Sequence, residues 1–174
     1  MENATSIRSR AVTVAIIVTG FLFGFVGSPM APAYGADGGQ PIAGIQCERQ
    51  EYGNFHIHAH LDIFIDGKPH AVHESIGIIE RTCLYWMHTH DRRGIIHVES
   101  PEARAFTLGQ FFDIWKATQK GAPATKETPK IFVNGKPVNG RLEQVEIAPL
   151  SEIVIVYGKA PASILSTYDF PKGF

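Results

Sequence analysis

The chain has 174 residues, 44% hydrophobic side chains and a formal net charge of −1. That length suits one domain plus a targeting segment. The near-neutral charge argues against a strongly electrostatic partner, so no nucleic-acid binding is expected.

Residues 1–33 read as a signal peptide or membrane anchor. Arg8 and Arg10 form a positive start, Ala11 to Gly27 is uncharged and largely apolar, and Ala31-Pro32-Ala33 has the form of a cleavage site. The uncharged run continues to Ala36, long enough to span a bilayer if retained. Either reading places the domain in the periplasm or outside the cell, touching membrane only through this segment. Residues 34–46, rich in glycine, are expected to be a flexible linker. The cysteines, Cys47 and Cys83, lack C-x-x-C spacing. After export such a pair is expected to form a disulfide; thiolate metal ligation is the competing reading.

From Phe55 to Ile65 the chain alternates. Phe55, Ile57, Ala59, Leu61, Ile63 and Ile65 are apolar, while His56, His58, His60 and Asp62 are polar. Period two predicts a strand with one face toward a core. Asp66-Gly67 predicts a two-residue hairpin turn, with a return strand over about 68–74. A second hairpin is expected from Leu84 to Glu99, turning at Asp91 to Gly94. Phe106 to Lys120 predicts a helix. Thr107 with Gln110 makes a capping box, Phe106 with Phe111 a staple, and Leu108, Phe111, Phe112 and Trp115 an apolar stripe read as core. A third hairpin is centred on Asn134-Gly135, and strands are expected at Val145 to Ile147 and Ile153 to Tyr157. The fold class is therefore α+β: one domain over 47–159, a mostly antiparallel sheet built from hairpins with one main helix packed on it. Residues 160–174 read as a C-terminal tail along the surface.

All eight histidines lie between positions 56 and 97. Parity puts His56, His58 and His60 on one strand face. The two-residue turn sets His73 opposite His60, and His70 opposite Ile63 on the other face. The four-residue turn sets His97 opposite His88, with His90 on the same face. Opposed Cβ atoms stand about 4.5–5.5 Å apart, close enough for two imidazoles to share one ion. The expected metal ligands are His88, His90 and His97, with His56, His58, His60 and His73 as a second set. Asp91 and Glu99 are candidate carboxylate partners. Imidazole donors suit copper or zinc. Met87 falls on the face opposite His88 and reads as core.

Three functions compete: an exported protein that binds copper or zinc, a metal-dependent enzyme with three histidines and an open water position, and a structural or interaction domain whose histidines only bond one another. Neither a G-x-S-x-G motif nor a Walker loop is present, which disfavours serine-hydrolase and nucleotide-binding chemistry.

The H-x-H spacing with a histidine on the neighbouring strand resembles the metal arrangement of cupins and alpha-class carbonic anhydrases. The wider pattern, Phe55-His56-Ile57-His58-Ala59-His60-Leu61, Met87-His88-Thr89-His90-Asp91 and Gly94-Ile95-Ile96-His97-Val98-Glu99, resembles a family of exported bacterial and archaeal proteins of uncharacterised function. The likeness runs from about Cys47 to Tyr157 and implies export and a shared fold.

Overall fold

The computed structural model describes residues 39–174. The expected signal or anchor over 1–33, and the start of the expected linker, lie outside the described residues. No helix among the described residues is long and apolar enough to cross a membrane.

The strands in chain order are β1 (Cys47–Glu48), β2 (Phe55–Ile65), β3 (Lys68–His70), β4 (Ile78–Ile79), β5 (Cys83–Tyr85), β6 (Met87–His88) and β7 (Ile95–Ser100). The helix α1 (Leu108–Thr118) follows, then β8 (Lys130–Val133), β9 (Lys136–Val138) and β10 (Glu152–Tyr157). The main sheet has the order β6-β7-β2-β10-β8-β9, with β3 also paired to β2. A small sheet contains β1, β5 and β4. The architecture is α+β, and every named strand pairing is antiparallel except β2 with β10, which run parallel.

Alternation along β2 sets the two faces of the sheet. Ala59, Leu61 and Ile63 join Met87, Ile96, Val98, Ile153 and Ile155 in one apolar core. The helix supplies Phe111, Phe112, Ile114 and Trp115 to the same core. Its start forms as the sequence predicts: the Gln110 backbone N–H donates to Thr107 Oγ1, and the Thr107 N–H donates to Gln110 Oε1. Phe106 and Phe111, the expected staple, are both buried.

Turn chemistry accounts for the outer hairpins. Asp66 and Gly67 take φ of 50° and 77°, and Asn134 and Gly135 take 51° and 74°. Positive φ at both central residues is the requirement of a type I′ turn. The resulting registers set Ile63 opposite His70 and Ile131 opposite Val138.

Two expectations need correction. The return strand β3 stops at His70, so His73 does not face His60. The cause is competition for the edge of β2: the Leu61 N–H donates to the Gly94 carbonyl, and β7 pairs with β2 from Phe55 to His60. Beyond His70 the chain is held instead by buried Thr89, whose hydroxyl donates to the His73 carbonyl. The expected strand at Val145 to Ile147 is reduced to a bridge between Thr107 and Glu146, although Val145 and Ile147 are buried. In the described part of the expected linker, Ile45 and Gln46 are buried and the Gln40 carbonyl accepts from the Tyr85 hydroxyl, while Gln40, Pro41, Ala43 and Gly44 are exposed.

Cys47 and Cys83 form the expected disulfide. It joins β1 to β5, which are neighbours in the small sheet. With the cysteines 36 positions apart in the chain, closing the loop stabilises by roughly 3–4 kcal/mol in the chain-entropy picture.

Candidate metal centre

The histidine face is the side of the main sheet opposite the apolar core. Three adjacent strands build it. His88 on β6 stands opposite His97 on β7, as the four-residue turn predicts. His97 in turn stands opposite His58 on β2, and Glu99 opposite His56. His56 and His58 of the second expected set therefore join the first set across β7.

The ring nitrogens converge. His56 Nε2 lies 3.0 Å from His58 Nε2, which lies 3.1 Å from His97 Nδ1. Glu99 Oε1 is 3.1 Å from His56 Nε2 and 3.5 Å from His97 Nδ1. On the other side of β7, His88 Nε2 lies 3.1 Å from His90 Nε2. Two groups of donors thus lie close enough to hold a metal ion: His88, His90, His97 and Glu99, and His56, His58 and His97.

Burial sets the protonation of this cluster. His88 is fully buried and the His97 side chain is 12% exposed, whereas His56 and His90 reach solvent. Burial, reinforced by the other histidines, lowers the pKa of His58 and His88 to about 4 and that of His97 to about 3. These rings are neutral at pH 7, and a neutral ring keeps one nitrogen lone pair for a metal. In His88 that nitrogen is Nε2, because Nδ1–H donates to the Tyr85 carbonyl at 2.9 Å. A ring orientation held through its second nitrogen is typical of metal-binding histidine. Glu99 is buried among these rings. Burial, then the negative charge of Glu51, raises its pKa to about 7.

The remaining predicted residues fall elsewhere. His60 is on the same face, but both ring nitrogens are engaged: Nδ1 lies 2.6 Å from Glu152 Oε2, and Nε2–H donates to the Arg93 carbonyl at 2.8 Å. With Asp62 and Glu152 it forms a third, separate group of potential ligands. His73 packs near Trp115 of the helix, with ring centroids 5.9 Å apart. His70, excluded on parity, donates from Nε2–H to the Gly121 carbonyl. Asp91 is tied to Arg93 by its backbone N–H and its guanidinium, 2.6 Å away at the closest atom, and belongs to none of the three donor groups. Alanine at His70 or His73 is therefore expected to leave Zn(II) and Cu(II) affinity within about twofold of the parent, measured by competition with a coloured chelator, since neither ring reaches the cluster.

Sequence reasoning missed several neighbours. Glu152 faces His60 because β10 lies parallel to β2 and sets the two residues opposite each other. A charged residue opening the apolar run Ile153 to Val156 was the available signal. Glu51 lies 3.6 Å from His90 Nε2. The C-terminal tail, expected on the surface, crosses the histidine face. The Tyr168 ring stacks on His60 at 3.7 Å, and Phe174 lies 4.6 Å from His58 and 5.7 Å from His97 between ring centroids.

Comparison with family models, curated proteins and solved structures returned no match. The functional reading rests on the geometry.

Proposed function

We propose that the chain is an exported protein that binds a transition metal, copper or zinc, on the histidine face. One observation carries this reading: His58 Nε2 has two nitrogen neighbours, at 3.0 and 3.1 Å. An imidazole nitrogen offers one N–H or one lone pair, and so one hydrogen bond along one direction. Two such partners exceed what a hydrogen-bonded network uses. They match ligands around an ion, because two nitrogens each about 2.0–2.1 Å from a shared metal stand roughly 2.9–3.4 Å apart.

Export is supported by the disulfide, by the signal-like segment at 1–33 and by the resemblance of the histidine motifs to an exported family. A metal-dependent enzyme is the second reading. The exposure of His56 and His90 favours it, because ligands at the solvent edge leave room for an exchangeable water.

The deciding experiment is metal analysis of untagged protein reconstituted separately with Zn(II) and Cu(II). Retention of stoichiometric metal after gel filtration supports binding; trace amounts of both would sink it. The absorption spectrum of the Co(II) form then separates the two readings, since an exchangeable ligand would shift with added azide and a closed shell would not.

The metal-free protein should lose stability in mild acid. In the unfolded chain His58, His88 and His97 titrate near 6.5, but in the fold they stay neutral until about pH 3–4. Below pH 6.5 the unfolded state therefore binds more protons, and folding weakens as pH falls. Glu99 opposes this between 4.5 and 7, because its raised pKa lets the fold keep a proton that the unfolded chain releases. Three histidines outweigh one carboxylate. The thermal midpoint of chelator-treated protein is expected to fall between pH 6.5 and 4.5; a flat or rising midpoint would contradict these assignments.

A further inference from the structure

We propose that the histidine face holds two metal ions rather than one, bridged by the carboxylate of Glu99. This deepens the metal-binding reading and rests on it.

The donors divide by strand. His88 and His90 approach from the β6 side, and His56 and His58 from β2. Between them β7 contributes His97, common to both groups, and Glu99. Within each flank the two histidine nitrogens stand 3.1 and 3.0 Å apart, the spacing expected of nitrogens on one ion. Strands β6 and β2 are separated by β7, which puts their backbones about 9–10 Å apart. Five imidazoles and a carboxylate exceed the four positions that zinc usually fills. Divided between two ions, the same donors give each ion two histidines of its own, with His97 ligating one of them through its single free lone pair and Glu99 bridging both.

Glu99 has the placement of a bridge. It sits on the middle strand and is 3% exposed. Its Oε1 faces His56 and His97, and its Oε2 is buried with no hydrogen-bond partner among the described residues. An unpartnered buried carboxylate oxygen is costly, and a second cation would satisfy it. Ions in two-metal centres lie about 3.5–4 Å apart, a span one carboxylate covers with its two oxygens. Imidazole-rich sites suit divalent zinc and copper. The His60, Asp62 and Glu152 group is a weaker home for a second ion, since both nitrogens of His60 are already bonded.

The test counts metal. The full chain without an affinity tag is stripped with chelator, loaded separately with Zn(II) and Cu(II), desalted and analysed for metal per chain. Two ions per chain are expected with at least one of the metals. Glu99→Gln, which keeps the shape but loses the bridging charge, should retain one. The double variant His56→Ala/His58→Ala alters the half-exposed flank and should also retain one, so the test survives if Glu99→Gln fails to fold by circular dichroism. One ion in the parent with both metals overturns the pair while leaving metal binding intact. Two ions in the double variant overturn it as well, by placing the second ion elsewhere. No ion with either metal overturns the underlying reading too.

Discussion

Replacing His97 with alanine is expected to weaken Zn(II) or Cu(II) binding more than any other single histidine substitution, by more than about 100-fold. The reason is its position. His97 is the one residue common to both donor groups, and it stands between His88 and His58 in a row across three strands. Its ring lies 4.5 Å from those of both His58 and His90, centroid to centroid. Loss of a residue that merely orients a ligand costs about 10–100-fold in affinity, so loss of a shared ligand should exceed that. By contrast, His90→Ala removes a solvent-edge donor from one group only. Competition titration against a chelator of known affinity would rank them. An effect of His97→Ala no larger than that of His90→Ala would contradict the central role of β7.

Trp115→Ala should cost the most stability, about 3–5 kcal/mol, the usual range for deleting a large buried aromatic ring. Trp115 is fully buried in α1, within aromatic contact of Phe111 and Phe112. It also lies near His70 and His73, at 6.4 and 5.9 Å between ring centroids. No neighbour can fill a gap of that size, so the cavity cost adds to the lost burial. Urea unfolding monitored by far-ultraviolet circular dichroism would measure the change, with Phe174→Ala, at a partly exposed tail position, as a mild comparison. A loss below about 1 kcal/mol would mean that the helix is not anchored through this ring.

The two substitutions probe opposite faces of one sheet, and the sequence shows the division between them. Period two along β2 separates Ala59, Leu61 and Ile63 from His56, His58 and His60. Thr107 and Gln110 mark the helix start, and the Asp66-Gly67 turn sets His70 opposite Ile63. The four-residue turn sets His88 opposite His97. Each of these rests on residues near one another in the chain, where bond geometry and turn length leave few alternatives.

What joins the hairpins to one another has no such local cause. Parity puts His58 and His97 on polar faces, but many registers of the same parity would do so equally well. The observed pairing of His58 with His97 depends on β7 taking the edge of β2 and on the burial of Ala59 against Ile96. That same contest for the edge ends β3 at His70 and sends His73 to the helix. The parallel placement of β10, which brings Glu152 to His60, is likewise a long-range outcome. Eight histidines clustered in the sequence therefore mark the candidate ligands and the face that bears most of them. Which of them meet, and that Glu99 lies buried in their midst, follows only from how distant strands share the edges of β2.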